Sequence, residues 1–238
     1  MNVLIVYAHP EPKSFNAALA GRARAALEEA GHRVTVSDLY GEGFDPVAGR
    51  HDFASVANPD IFHYQSEQAL AVRDKAFAPE IAREQQRVAD ADFLILQFPL
   101  WWGGAPAILK GWFERVLAYG FGYVDGSRYD TGLFRGRHAL LSVTTGGTPA
   151  RFGPDGVYGP IDRVLWQSQR LILQYLGYET EEPYVAYAAP RVSDGERAAY
   201  LDELARRVVA FAAKPVDRGL RPENPLGLVP GNAWAKAR

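Results

Sequence analysis

Three short stretches of this chain carry residue types that could do chemistry. HPEPKSFN (9–16) begins with His9 and brings Ser14 and Asn16 up to an alanine-rich, helix-like run. Hydroxyl and amide side chains at a helix entrance, with the helix's own free N–H groups, can hold an anion such as a phosphate. The same pattern also serves as a plain N-cap. FPLWWGG (98–104) sets Trp101 and Trp102 beside Gly103 and Gly104. Bare backbone can come close to a flat ring and an indole can stack on it, or the two tryptophans can be core or interface. TTGG (144–147) places the hydroxyls of Thr144 and Thr145 before the bare amides of Gly146 and Gly147. Amides aimed at one spot stabilise negative charge that develops there; a strand-to-loop turn is the alternative. Neither a Walker A motif nor G-x-G-x-x-G accompanies them.

Composition removes other chemistries. The chain has no cysteine, so disulfides, thiolate metal sites and cysteine nucleophiles are out. Its five histidines, at 9, 32, 51, 63 and 138, form no i, i+4 pair, and no metal site is expected. A net charge of −2 points away from nucleic acid and acidic membranes as partners. No apolar run approaches a membrane span, and the start MNVLIVYAHP lacks the pattern of a signal peptide. A soluble, cytoplasmic protein is expected. With 47% hydrophobic residues in 238, the chain can build a sizeable core.

The elements that must position the three stretches alternate along the chain. Strand-like runs lie at 2–8, 32–40, 93–98, 138–145 and 183–189, and helical patterns at 16–30, 66–77, 80–92, 105–120, 160–176 and 194–214. Residues 41–65 read as a long, turn-rich excursion and 122–136 as a loop. The alternation predicts an α/β fold, a flavodoxin-like doubly wound parallel five-stranded sheet of order 2-1-3-4-5 with helices on both faces. Residues 1–214 form the predicted domain, and 215–238, with four prolines, an extended or poorly ordered tail. In that sheet order ligands bind beyond the carboxyl ends of the strands at the switch between strands 1 and 3. The three stretches meet there. Together they fit a planar, phosphate-bearing cofactor, and a flavin matches all three.

The motifs AHPEPKSFN, SDLYGEGFDP, QFPLWWGGAPAILKGWFERV, RYDTGLF, TTGG and LWQSQRLILQYLGY resemble the NAD(P)H:quinone oxidoreductase family, over residues 3 to about 212. The resemblance implies a homodimer with two FAD sites at the subunit interface and ping-pong transfer of a hydride from NADH or NADPH to a quinone-like acceptor. It places His9, Ser14, Phe15 and Asn16 on the FAD phosphates and ribityl chain. Pro99, Leu100, Trp101, Trp102 and Gly103 would line the isoalloxazine, and Thr144, Thr145, Gly146 and Gly147 its pyrimidine end. Arg197 would lie near the adenine, and His63 and Glu114 would reach the FAD across the dimer. Tyr123, Asp125 and Tyr175 would form the substrate-facing wall from the second subunit. The 41–65 excursion and Arg197 favour FAD over FMN.

The sequence also departs from the family's pattern. Phe152 and Tyr158 stand where the family has a tyrosine and a histidine beside the flavin. Phenylalanine has no proton to give, and a phenol, with an ordinary pKa near 10, is a poorer proton source than an imidazole at neutral pH. Gly103 and Asp125 stand in place of a phenylalanine and a tyrosine, which opens the pocket and makes one wall acidic. Arg191 replaces a histidine near the mouth. It would contact an anionic acceptor or the 2′-phosphate of NADPH, or simply face solvent. Besides a quinone-type reductase, the residues are compatible with an FMN-dependent azoreductase, an electron-transfer flavoprotein or a flavin-binding regulatory subunit of a membrane transporter.

Overall fold

Each strand of β1 (Asn2–Tyr7) and β3 (Phe93–Pro99) sends alternate side chains to opposite faces, and both faces are covered. Val3, Ile5, Tyr7, Phe93 and Ile95 pack under α1 (Phe15–Glu29) and the last helix, α6 (Asp194–Ala212). Leu4, Val6, Leu94, Leu96 and Phe98 pack on the other side, against α3 (Pro79–Asp90), α4 (Ala107–Val116) and α5 (Ile161–Ser168). The computed structural model describes residues 1–229.

With β2 (Arg33–Asp38) and β4 (His138–Thr144), the strands run parallel in the order β2-β1-β3-β4, in line with the predicted topology. The fifth position is split. β5 (Glu179–Thr180) and β6 (Tyr184–Ala186) both pair with β4, at its start and its end. The strand expected over 183–189 thus stops at Ala186, and the chain turns back toward the end of β4 through Ala188, whose φ is 50°.

The excursion is built around buried charge. Arg115 of α4 is paired with Asp52 at 2.8 Å and with Glu80 at 2.6 Å, and it also donates to the carbonyl of Asp45. The Asp52 and Arg115 side chains are 0% and 2% exposed, so removing Arg115 would leave the buried Asp52 carboxylate without its guanidinium partner. Gly111 completes the fit. A Cβ there would lie 2.1 Å from the carbonyl oxygen of Pro46, so the excursion can cross α4 only over a glycine. α2 (Tyr64–Asp74) follows, with His63 as its N-cap accepting from the Ser66 amide. Trp112, fully buried, donates its indole N–H to Glu84 at 2.8 Å, and Glu84 also accepts from Ser37 and Arg87.

Two other segments differ from the sequence reading. The helix expected to 176 is α-helical only to Ser168 and continues as a π-helical segment, Gln169–Gln174, which changes the facing of the residues that follow. Residues 215–229 are not a loose tail. Arg218 pairs with Asp92 at 2.5 Å, Arg221 donates to the Phe121 carbonyl at 2.8 Å, and Leu226 packs on the core cluster beneath. The remainder of the expected tail, 230–238, lies outside the described residues. Among the described residues no helix is long and apolar enough to cross a membrane.

Candidate functional site

The carboxyl ends of β1, β3 and β4 are tied together by one buried chain of hydrogen bonds. Gln97 of β3 donates to the Asn16 side-chain oxygen at 2.9 Å, and Asn16 donates to the Thr144 hydroxyl at 2.8 Å. All three residues are buried. Asn16 and Thr144 therefore use their side chains to hold the three loops in place. Ser14 is also committed. Its hydroxyl accepts from the Ala17 amide at 3.1 Å and lies 3.2 Å from the Tyr7 hydroxyl, whose pKa is raised chiefly by burial. Ser14 is the N-cap of α1, and the first-turn N–H groups of Phe15 and Asn16 have no partner among the described residues. His9 accepts from the Glu11 amide at 3.0 Å, and its ring lies 5.8 Å from Trp101, so the first two loops touch.

After Pro99, the chain folds into a two-residue turn. Trp101 and Gly104 exchange backbone hydrogen bonds of 3.1 and 3.0 Å, and Trp102 and Gly103 between them have φ of 52° and 76°. Positive φ at both central positions is the signature of a type I′ turn. Glycine suits the second position; a tryptophan at the first is strained by roughly 1–2 kcal/mol. The turn holds the Trp102 indole fully in solvent, at 105% relative exposure. The backbone N–H groups of Trp102 and Gly103 have no partner among the described residues.

The third loop is fastened from behind. Thr145 donates its N–H to the Ala186 carbonyl and its hydroxyl to the Gly147 carbonyl, and Ala188 and Ala189 donate to the Gly147 and Thr145 carbonyls. That leaves the N–H groups of Gly146, Gly147 and Thr148 without a partner among the described residues. Gly147 must lack a side chain, because a Cβ would stand 2.8 Å from the Phe152 ring and 3.1 Å from that of Tyr158.

The second and third loops border one cavity of about 620 Å³. Of the residues singled out in the sequence, Leu100, Trp102, Gly103, Thr145, Gly146, Gly147, Phe152, Tyr158 and Arg191 line it. Thr148, Arg151 and Val164 line it as well and were not singled out in the sequence. Phe152 is buried against Tyr158, with ring centres 5.1 Å apart, and the Tyr158 hydroxyl accepts from Arg151 at 3.3 Å. Arg191 donates to the Gly146 carbonyl. Beside this cavity, Arg197 at the start of α6 is held by Asp194 at 2.8 Å and reaches the Ala189 carbonyl at 3.4 Å. Phe15 meets Tyr200 of the same helix at 6.4 Å.

The remaining candidates gather elsewhere. Tyr123 packs edge-on against Tyr175 at 6.1 Å and accepts from Gln65 at 2.8 Å. Burial raises its pKa, with the Gln65 contact opposing and Tyr175 and Asp125 adding to the rise. Asp125 accepts from the Tyr119 hydroxyl at 3.2 Å. Glu114, ion-paired with Lys110, lines a second cleft of about 370 Å³ with Tyr64, Gln65 and Tyr123. None of these residues lines the 620 Å³ cavity of the same chain.

Comparison with known proteins shows the family and the fold. A family model described as a flavodoxin-like fold matches residues 1–211. The chain is 44% identical over 207 residues to a mouse (Mus musculus) protein named ribosyldihydronicotinamide dehydrogenase (quinone), covering 87% of this chain and 90% of the other. It is also 44% identical over 185 residues to a Cavia porcellus protein named NAD(P)H dehydrogenase (quinone) 1, covering 77% and 67%. A solved structure from Klebsiella pneumoniae, provisionally described as a quinone reductase, superposes with a TM-score of 0.84 at 35% identity, covering 91% of this chain and 86% of the other.

Proposed function

The chain belongs to the flavodoxin-like family that includes the NAD(P)H dehydrogenase (quinone) enzymes, and from that premise we propose that it is a flavin-dependent oxidoreductase, moving two electrons from NADH or NADPH to quinones or related electrophilic acceptors. The observation that carries this reading is the pair of loops around one cavity. Trp102–Gly103 and Gly146–Thr148 present backbone N–H groups that no described residue partners, and among the described residues no carboxylate lines the space between them. Such a wall suits a planar group that becomes more negative as it accepts electrons.

The residues present fit a flavin. The Phe15 and Asn16 amides at the entrance of α1 suit its phosphate. Pro99, Leu100 and the Trp101–Gly104 turn suit the ring, and Thr145, Gly146 and Gly147 its pyrimidine edge. We assign FAD over FMN because Arg197 and Tyr200 of α6 stand next to the entrance of α1, where a longer cofactor needs a further surface. When bound, the flavin supplies the two-electron redox chemistry that side chains lack. The chain's own part is electrostatic and positional. The Gly146 and Gly147 amides stabilise negative charge. Tyr158, oriented by Arg151, offers a hydroxyl proton on the cavity wall, and Phe152 closes the floor to water.

The same reading includes a homodimer. Tyr123, Asp125, Tyr175 and Glu114 sit together but away from their own chain's cavity, which is where groups that complete the partner's site would be. Hydride transfer would then follow ping-pong order, one substrate replacing the other in a shared space.

The test is the visible spectrum of the purified protein under anaerobic addition of NADPH and then NADH. Rapid bleaching of a flavin band supports the proposal. A band that persists favours an electron carrier or a regulatory subunit. No flavin, even after adding FAD, would overturn it.

A further inference from the structure

We propose that Arg151 and Arg191 form an anion-selecting mouth on the 620 Å³ cavity, holding a phosphate or carboxylate carried by one of the two substrates. The inference deepens the oxidoreductase reading and rests on it for the identity of the substrates.

Three observations converge. Arg151 and Arg191 line the same cavity, and among the described residues no Asp or Glu does. Neither takes part in an ion pair among the described residues, whereas Arg87, Arg115, Arg197 and Arg218 are each paired with a carboxylate. Both also bear on the Gly146–Gly147 segment. Arg191 donates to the Gly146 carbonyl, while Arg151 donates to the hydroxyl of Tyr158, whose ring lies against Gly147.

Each guanidinium has five N–H donors, and one contact here leaves most of them available. The planar fork matches phosphate and carboxylate oxygens two at a time. Two like charges on one rim repel, and an anion between them removes that cost. A neutral ligand does not. The phosphates of a pyridine dinucleotide and an acidic group on the acceptor present this same chemistry. A nicotinamide riboside, which the mouse relative's name specifies, has no phosphate to offer.

The experiment compares the wild type with R151Q, R191Q and the double variant, flavin content being measured on each. Stopped-flow reduction is followed with NADPH, NADH and dihydronicotinamide riboside. Re-oxidation is followed with a neutral quinone and a carboxylate-bearing one. Calorimetric binding of NADP⁺ against NAD⁺ is measured separately. If the anion belongs to the reductant, the double variant lowers the apparent affinity for NADPH relative to the riboside by about tenfold or more, and NADP⁺ binding weakens in parallel. If it belongs to the acceptor, the carboxylated quinone loses its advantage over the neutral one by a similar factor. Both preferences should shrink with added salt. Equal changes for charged and uncharged substrates in both half-reactions, with unchanged NADP⁺ binding, would overturn the proposal. A wild-type protein that no reductant bleaches would sink the oxidoreductase reading, while the NADP⁺ titration would still report on the two arginines.

Discussion

The Asn16 side chain donates to the Thr144 hydroxyl at 2.8 Å, joining positions 128 apart in the chain at the point where two loops of the site leave the sheet. With Gln97 on its other side, Asn16 is a brace between three strand ends. Asn16→Leu should leave the Gln97 amide and Thr144 hydroxyl without these partners, at a cost of about 1–3 kcal/mol. Urea unfolding measures it. A loss below about 0.5 kcal/mol, within the ordinary scatter of surface substitutions, would show that water replaces the brace.

Trp102 sits in the left-handed region with its ring in solvent, so its conformation costs stability without burial to offset it. Trp102→Gly should raise stability by about 1 kcal/mol and weaken flavin or substrate binding. Gly103, at φ 76°, should lose more than about 1 kcal/mol on mutation to valine. Gly104 has open space around its Cβ position and no positive φ, so Gly104→Val should leave folding nearly unchanged and lower flavin occupancy. Parallel losses of folding and occupancy in all three would mean the turn is only structural.

Two classes of inactive chain should rescue each other if sites are shared. Gly147→Val drives a methyl into Phe152 and closes the cavity. Asp125→Arg spoils the wall held by Tyr119. In a symmetric dimer with composite sites, mixed chains give one intact site per heterodimer, hence roughly a quarter of wild-type activity after random exchange. No recovery after verified exchange would place all functional groups on one chain.

Much of this arrangement was legible in the chain. Short continuous apolar runs bounded by turn residues disclosed the sheet, and its order places the three loops together. Gln97 was not singled out, although it is the lone polar residue in FLILQFP, a run buried on both faces. Other features had weaker signals. Arg115 adjoins Glu114 in GWFERV, and nothing local says which of the two turns inward; a partner 63 positions away, Asp52, decides it. Arg151 lies in a single 3₁₀ turn, Pro149–Phe152, too short for periodicity to report the direction of a side chain. The π-helical segment 169–174 has no composition that separates it from an α-helix. The prolines of 215–229 suggested disorder, but two arginines and Leu226 anchor the segment through long-range contacts.

That anchor makes the segment part of the stability of the domain. Burial alone would raise the Asp92 carboxyl; the Arg218 guanidinium and the Asn2 N–H outweigh it and hold the pKa below its ordinary 3.8. A lowered folded value stabilises the fold above that ordinary value, and the contribution is lost as pH falls through the folded value. Arg218→Ala should therefore destabilise at pH 7, and the gap from wild type should narrow below about pH 4. A gap independent of pH would assign the effect to packing.

Tyr158 lines the cavity wall, and its hydroxyl accepts from Arg151. If that proton supports charge developing on a bound group, Tyr158→Phe should lower kcat by about 10²-fold and leave KM within threefold, since ground-state contacts are mostly retained. Tyr158→His should recover part of the loss, more below pH 6.5, where the imidazole is charged, than above it. The ring keeps its place against Phe152 in the phenylalanine variant, so stability should change by less than about 1 kcal/mol. A kcat within threefold of wild type would make the ring a filler of space and leave the stabilisation of charge to the Gly146 and Gly147 amides.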